Sequence, residues 1–315
     1  MEGSFHTLYR IKKNDTKLEL LSINKSDILK EFRIIADICV PLCILGLIGN
    51  GIICWLLCCT IKRSRFMIYV LNLAIGDFVI LLHYFVLYLL IILPSHASFY
   101  SQHIKVISLI FGSGTNLYFL TAVSAERYIM VSFPFWIKSH RPKYLTAVMC
   151  VSLWTLSFML TMLEYFSCNP RYLPSHIIGF LYCHTAIVVQ YIIGYLVFIP
   201  VMVFSTLALL IKIWKKTLKN FPTGLDISIV ATVFLHLIFS AFTKMIVFIN
   251  YFAAFMPSSE YLRVSLILDC ADSTVYPFVY LLVGCWKKSL KPVHVLVEQV
   301  LNDKSDSNLR TQLAS

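Results

Sequence analysis

The sequence predicts an all-α membrane protein, a seven-transmembrane helix bundle followed by a short amphipathic helix. The prediction rests on the composition, on the number of long apolar runs, and on the basic residues between them. Of the 315 residues, 58% are hydrophobic and 14% are charged, whereas soluble domains average about 45–50% and about 25%. One soluble core could not bury so much apolar surface, so the lipid bilayer is the expected solvent and partner.

Seven runs are long enough to cross the hydrocarbon layer, which takes about 20 mainly apolar residues in a helix. They cover residues 34–59, 67–93, 104–131, 145–167, 186–211, 225–252 and 262–284. The connections are short, so we expect one helical domain over residues 34–284 and no soluble module. Residues 1–33 are a predicted extracellular tail, and residues 285–315 a predicted cytoplasmic segment. In that segment the apolar spacing from Leu290 to Val300 suits an amphipathic helix on the inner leaflet, with Pro292 weakening its middle.

The basic residues indicate the orientation, because cytoplasmic loops carry an excess of Lys and Arg. Thirteen lie in the odd-numbered connections and directly after the last run, up to residue 291, whereas the other loops hold Arg171 and Arg263, with Lys105 at the edge of a run. The N-terminus is therefore predicted outside and the C-terminus in the cytoplasm. Two sequons, at Asn14 and Asn24, agree with this orientation and are predicted glycosylation sites. No apolar signal core precedes residue 34, so the first helix is expected to act as a signal-anchor.

The formal net charge of +11 does not indicate a nucleic-acid-binding protein. The charges lie between apolar runs, where they face lipid headgroups and cytosolic partners. An enzyme is not expected either, because the sequence contains no phosphate-binding loop, metal-ligand set or nucleophile triad.

Polar and aromatic residues recur at characteristic depths of the helices, where an ionisable group needs a partner or a role because lipid solvates it poorly. They are Asn50, Asp77, the segment Glu126-Arg127-Tyr128, Trp154, Pro200 and the segment Tyr276-Pro277-Phe278-Val279-Tyr280. Arg127 alone could simply extend its guanidinium to the headgroups. The whole set in order, spread over the successive helices, is far more specific than any one member.

This set resembles the one found in rhodopsin-like (class A) G-protein-coupled receptors, over nearly the whole chain. Within that family the chain is similar to the Mas-related receptors. The similar segments include Ser-Ala-Glu-Arg-Tyr at 124–128, Phe-Pro-Phe-Trp at 133–136, His-Arg-Pro-Lys-Tyr at 140–144, and residues 147–150, 153–154, 163–164, Cys168, 283–284 and 286–288. The resemblance implies a multi-pass plasma-membrane receptor that binds an extracellular ligand and activates heterotrimeric G proteins.

The resemblance also implies roles for single residues. Arg127 would hold the inactive state through Glu126 and engage the G protein when the helices part. Asp77 would form a polar core with Asn50, Asn116 and the seventh helix, and this core could hold a sodium ion; no other cofactor and no other metal is expected. The residues implied in coupling and activation are Glu126, Arg127, Tyr128, Tyr276, Pro277 and Tyr280. A disulfide bond between Cys168 and Cys183 is implied as well.

The sequence departs from the family pattern in two helices. Tyr276 stands where the family has an asparagine before the seventh-helix proline, and a phenol cannot act as an amide does. Asp272, one turn earlier, can replace part of that polarity. The sixth run lacks the usual tryptophan and the usual proline. A proline kink helps the sixth helix to swing outward during activation. Because this sequence lacks the proline, the usual activation motion is not expected to arise in the usual way.

Three charged residues fall in the predicted outer halves of the helices, and they define a candidate ligand pocket: Glu164, Lys244 and Asp269. If Lys244 and Asp269 neutralise each other, Glu164 is the carboxylate left over to attract a cation. Tyr165, together with Tyr88, Tyr118, Tyr191 and Tyr251, could supply aromatic faces for that cation. The segment after Cys183 contains no second acid. The Mas-related resemblance implies a peptide or amine ligand and supports Glu164 as the acid that binds its cation, so the expected ligand is a cationic peptide or amine.

Two other functions stay open at this stage. A receptor-shaped binding or scaffold protein with weak signalling is plausible because of Tyr276 and the plain sixth helix. A transporter or channel would need paired repeats, broken helices or a continuous polar pore. The sequence shows none of these, although Asp269 and Asp272 could line a path.

Overall fold

The computed structural model describes eleven parts of the chain: residues 33–60, 65–92, 98–133, 135, 137, 141–142, 144–168, 176–217, 224–252, 259–286 and 292–301. Side chains in the outer part of the third helix are not described. The predicted N-terminal tail with Asn14 and Asn24 lies outside the described residues.

Seven long helices form the bundle, and one short helix follows them. Their bounds are α1 Arg33–Cys59, α2 Arg65–Ile92, α3 Ser98–Ser132, α4 Leu145–Cys168, α5 176–217, α6 224–252, α7 Ser259–Trp286 and α8 Val293–Leu301. Six of the described helices, all of these except α3 and α8, are long and apolar enough to cross a membrane. The seventh member of the bundle, α3, packs against α2, α4, α5 and α6. Together they form a seven-transmembrane bundle.

Several helices begin earlier than the apolar runs predict. The third starts at Ser98 rather than residue 104, and the fifth at His176 rather than 186. Hydropathy marks only the stretch that lies in hydrocarbon. A helix extends beyond the hydrocarbon for as long as its backbone hydrogen bonds continue. Hydropathy therefore does not predict the polar ends of the helices.

The burial pattern is that of a protein in lipid. Large apolar side chains point outward, among them Trp55, Leu196 and Phe204, which are 62%, 71% and 63% exposed. The interior holds many polar side chains, and Asp77 is fully buried. A soluble protein places these two classes the other way round. The outward apolar faces are therefore surfaces for acyl chains, and the buried polar groups mark the working parts of the bundle.

Close contact between α1 and α7 depends on two glycines. A Cβ on Gly46 would lie 2.6 Å from the Thr274 hydroxyl oxygen and 3.1 Å from its Cα, and one on Gly49 would lie 3.1 Å from Pro277 Cβ. Thr274 also donates a hydrogen bond to the Leu42 carbonyl at 3.1 Å. The two helices therefore meet backbone to backbone, which fixes the height of α7 in the bundle.

The fifth and sixth helices each contain a π-helical segment, at Ile192–Phe198 and Leu237–Ala241. Such turns are wider than α-turns and bend or distort a helix without proline. The Tyr195 hydroxyl donates a 2.8 Å hydrogen bond to the Ala241 carbonyl, which joins the two segments. The sixth helix thus has a local irregularity of its own, although it lacks the expected proline.

The short helix that follows the last span packs one face against the bundle. It begins after Pro292, and its apolar residues Leu296, Val297, Val300 and Leu301 are buried within the protein. Gly284 of α7 lets the Leu296 backbone approach, and Gly224 at the start of α6 does the same for Val300. The short helix predicted after the last span is therefore confirmed, and its position at the inner leaflet stays a prediction. The two glycines allow its apolar residues to pack against the bundle, a contact that the spacing of apolar residues does not reveal.

Candidate functional site

A cavity of about 240 Å³ opens between five of the helices. Its wall is formed by Gly114, Leu117, Tyr118, Glu164, Gln190, Tyr191, Gly194, Tyr195, Ile199, His236, Ser240, Ala241, Lys244, Ser265, Leu266 and Asp269. All three charged residues singled out from the sequence, Glu164, Lys244 and Asp269, lie in this wall. Concave sites with an apolar wall and a few convergent polar groups are the usual form of small-ligand sites.

Lys244 and Asp269 neutralise each other across the cavity wall. The Lys244 Nζ lies 3.3 Å from Asp269 Oδ1, and Lys244 also donates a 2.7 Å hydrogen bond to the Ser240 hydroxyl. Ser240 in turn donates to Asp269 at 3.0 Å. The geometry confirms the pairing that the sequence left as one of two options. Both charges are satisfied inside the protein, so they need no ligand.

Glu164 differs from these two residues because it has no ion-pair partner within the described part of the chain. It lies one turn before Cys168, which forms the implied disulfide bond with Cys183 at the start of α5. The bond ties the end of α4, and with it the carboxylate, to the neighbouring helix. The wall around Glu164 is partly aromatic, and such rings can stack on a cation.

The aromatic part of the wall is only partly the predicted one. Tyr118 and Tyr191 line the cavity as expected, and Tyr191 stacks on Phe248 with ring centroids 4.2 Å apart. The described lining does not include Tyr165, whose ring contacts Phe166. Tyr88 is buried in a separate cluster with Tyr84. The side chain of Tyr251 lies outside the described residues.

His236, which sequence reasoning did not select, lies in the cavity wall and belongs to a buried polar triad. Its Nδ1 lies 2.8 Å from Asp272 Oδ2, and the Tyr276 hydroxyl donates to Asp272 Oδ1 at 2.7 Å. All three are at most 3% exposed. Asp272 thus joins the unusual Tyr276 to the sixth helix. A histidine within an apolar run was the available signal, because an ionisable group in lipid needs a partner.

A second polar cluster lies next to this triad, around Ser273. Asn116 donates to Asp77 Oδ1 at 2.5 Å and to the Ser273 hydroxyl at 3.4 Å. Asn50 donates to the Ser273 carbonyl at 2.9 Å. Three of the four predicted core residues meet here, whereas Asp272 faces the triad. Asp77 Oδ2 and Asn116 Oδ1 are buried without a hydrogen-bond partner among the described residues.

At the opposite end of the bundle from the cavity, Arg127 is held by a residue that was not predicted. Its Nε donates to Asp226 Oδ1 at 2.5 Å, with side chains 4% and 9% exposed. Glu126 instead accepts a hydrogen bond from Arg141. The expected pairing of Arg127 with Glu126 is therefore corrected. Successive helical side chains point about 100° apart, so Arg127 faces the first turn of α6 while Glu126 faces the segment before α4.

The other residues implied in activation are close to this pair or buried beneath it. Tyr128 packs edge-on against Phe204, with ring centroids 5.8 Å apart. Tyr280 is 5% exposed, and Pro277 lies against Gly49. Their roles in coupling and activation stay predictions.

Comparisons with known proteins assign the fold to a family. The family model of the seven-transmembrane receptors (rhodopsin family) matches residues 49–285. The proto-oncogene Mas of Homo sapiens is 35% identical over 246 residues, which are 77% of this chain and 75% of that protein. The Mas-related G-protein coupled receptor member H of Rattus norvegicus is 34% identical, over 85% and 83% of the two chains. The Mas-related G-protein coupled receptor member X1 of Homo sapiens is 31% identical, over 91% and 90%.

The chain belongs to the Mas-related receptors of the rhodopsin family. It is thus a G-protein-coupled receptor and not an enzyme, and a multi-pass membrane protein. The transporter alternative is set aside. The matched region contains the cavity, the triad and the Arg127–Asp226 pair of this receptor, whereas α8 follows it.

Proposed function

We propose that this receptor binds a cationic peptide or amine in the cavity and, in response, activates heterotrimeric G proteins at the end of the bundle where Arg127 lies. The observation that carries the proposal is Glu164, the acid in the cavity wall that has no ion-pair partner among the described residues. A ligand cation placed beside it gains a charge-assisted hydrogen bond, and Tyr191 and Tyr118 offer it aromatic faces. With a single unpaired acid, one positive charge on the ligand is enough.

The proposed orientation follows the basic loops. The N-terminal tail and the cavity face the outside, the C-terminus lies in the cytoplasm, and Asn14 and Asn24 carry glycans. Arg127 and the exposed Phe135, which is 86% exposed, then lie at the cytoplasmic face. There a G protein can contact the exposed ring of Phe135.

The resting state in this proposal is held by Arg127 and Asp226. The pair joins α3 to the first turn of α6, so that turn can move outward only if the pair opens. A G protein that offers Arg127 new hydrogen-bond acceptors favours the arrangement in which the pair is open. A ligand that binds this open arrangement more tightly shifts the same equilibrium in the same direction. Ligand binding and coupling are then linked through the sixth helix.

The charge of Glu164 is tested by Glu164→Gln in the full-length receptor, which keeps the shape and removes the charge. A charge-assisted hydrogen bond contributes about 1.5–3 kcal/mol, so cationic agonists should lose roughly 10- to 150-fold in potency. The measurement is G-protein activation in cells by a panel of cationic peptides and amines, at matched surface expression. Asp37→Asn is the control, because Asp37 is an exposed acid on α1 outside the cavity wall.

An unaltered dose-response curve for Glu164→Gln would refute the cavity model. A second candidate function, a binding protein with weak signalling, is favoured by the His236–Asp272–Tyr276 triad. This triad ties α6 to α7 in a way that the usual asparagine would not. Wild-type protein that binds cationic ligands through Glu164 but activates no G protein would select that candidate.

A further inference from the structure

The cavity reaches deep into the bundle, because the side chains around its inner part are small. Gly114, Gly194, Ser240 and Ala241 all line it, and His236 lies in the wall one turn below Ser240. Lys244 and His236 are eight residues apart on α6, about 12 Å along a helix. A tryptophan in this part of α6 would close the passage, but the sequence has none there. A ligand anchored near Glu164 therefore has room to extend to His236.

The two ring nitrogens of His236 have different surroundings. Nδ1 lies 2.8 Å from a carboxylate oxygen of Asp272. An ionised carboxylate only accepts hydrogen bonds, so this contact fixes the proton on Nδ1. The other oxygen of Asp272 already accepts from Tyr276. In the neutral ring Nε2 is then an acceptor, and no hydrogen bond to it occurs within the described residues.

We propose that the cavity floor is a second recognition site, where His236 Nε2 accepts a hydrogen bond from an uncharged donor of the ligand, a hydroxyl or an amide N–H. This inference rests on the proposed function, because it takes the cavity as the ligand site. It narrows the ligand class to elongated cations with such a donor at the far end. An apolar group or a pure acceptor at that end would leave Nε2 desolvated without a partner, which is costly in a buried site.

The floor site also gives the ligand a direct contact with the connection between α6 and α7. The ring that would receive the ligand is the ring that holds Asp272 and, through it, Tyr276. A ligand that reaches His236 therefore acts on both helices without an intervening side chain. Shorter cations, which occupy only the Glu164 end, would bind without touching this connection.

The test uses matched probes on the purified full-length receptor. The probes are ω-amino alcohols with four to twelve carbons, the ω-methoxy amines of the same length, and the n-alkylamines in which a methyl replaces the hydroxyl. Ligand-observed NMR gives the affinity of each. At one chain length or a few adjacent ones, the amino alcohol should bind about fivefold or more tighter than both relatives, because only it can donate to Nε2.

Three variants locate the effect. In His236→Phe the preference for the amino alcohol should vanish while Glu164-dependent amine binding persists, and His294→Phe on α8 should leave it intact. In Asp272→Asn the amide can donate to Nδ1, which moves the ring proton to Nε2. The methoxy amine should then match the amino alcohol. This gain of binding by an acceptor probe cannot arise from a merely damaged fold.

The outcomes separate this proposal from the proposed function. Amine binding that depends on Glu164 but shows no hydroxyl preference at any length overturns the floor site alone. Amine binding that ignores Glu164, or no amine binding at all, overturns the cavity model and the floor site with it. A hydroxyl preference that survives in His236→Phe assigns the donor contact to another residue and also overturns the proposal.

Discussion

The sixth helix is tied to its neighbours by an ion pair near each end, and the two pairs differ in exposure. At the cavity, Lys244 meets Asp269 of α7 at 3.3 Å, and the Lys244 side chain is 23% exposed. At the other end, Arg127 of α3 meets Asp226 at 2.5 Å, and neither side chain is more than 9% exposed. Water screens the first pair more than the second. The cavity end of α6 can therefore adapt to a ligand at small cost, whereas the Arg127 end opens only when another partner takes over.

The largest effect is expected at the buried pair. Arg127→Ala should remove nearly all G-protein activation, because the guanidinium that a G protein would engage is gone. Ligand binding should stay near wild type, since the cavity is at the other end. The variant also leaves Asp226 buried without its cation, which costs about 3–5 kcal/mol in comparable cases. Arg127→Ala/Asp226→Ala, which removes both charges, therefore serves as the stability control.

Both variants should be silent in a cellular G-protein assay at matched surface expression. Unchanged signalling in either of them would assign coupling to other residues. It would also contradict the view that the Arg127 end of α6 controls coupling while the cavity end controls ligand binding.

Weakening the same pair at Asp226 instead of Arg127 should raise G-protein activation rather than lower it. Asp226→Asn keeps the shape of the acid but weakens its hold on Arg127, by roughly 1.5–3 kcal/mol for a charged hydrogen bond. The balance between resting and active arrangements then shifts by up to about 10- to 150-fold, and ligand-free signalling should rise. Asp226→Glu, which keeps the charge, should stay close to wild type. Basal activity that falls in Asp226→Asn would show that the pair supports the active state instead.

A smaller effect is expected at the exposed pair. Lys244→Met leaves Asp269 without its cation but with its Ser240 hydrogen bond, so the cavity gains a second acid. Cationic agonists should become about tenfold more potent, because the new charge adds one charge-assisted contact. Lys244→Met/Asp269→Asn, with neither charge, should return potency to the wild-type range. A potent agonist that is purely anionic and depends on Lys244 would contradict this account of the cavity.

The smallest effect concerns the cluster around Ser273, which holds neither pair. We propose that a sodium ion binds there. The orphaned oxygens of Asp77 and Asn116 suit a small cation, and these two residues with Ser273 would hold it. Replacing choline chloride by sodium chloride should lower agonist affinity several-fold in wild type and leave Asp77→Asn unaffected. An equal sodium response in both proteins would exclude Asp77 as the ion's ligand.

The comparison also shows which contacts could be predicted from sequence. The Lys244–Asp269 pair could be anticipated, because two opposite charges in the same half of adjacent helices have few other partners in lipid. The Arg127–Asp226 pair could not, since the choice between Glu126 and Asp226 depends on how far α6 is rotated about its axis. The apolar runs of the sequence predict the seven helices but not their ends, and they predict the general position of Asp77 near the middle of α2.

His236 shows a different limit of sequence reasoning. Its partner Asp272 is 36 positions away on the next helix. The register between α6 and α7 depends on the π-helical segment Leu237–Ala241, which directly follows His236. Apolar periodicity does not report such a segment. For the same reason the depth of the cavity could not be foreseen, although the absence of a tryptophan from that stretch was visible.

The π-helical segment at Leu237–Ala241 has a consequence for sequence alignment. A π-turn holds about one more residue than an α-turn, so every position beyond it is rotated by about 100° relative to a regular helix. A gapless alignment of α6 with a sixth helix that lacks this turn would match Lys244 with a residue on a neighbouring face. Cavity residues beyond Ala241 would then be transferred to the wrong positions in a relative, while those up to His236 would be transferred correctly. Placing a one-residue gap within 237–241 restores the correspondence between the faces of the two helices.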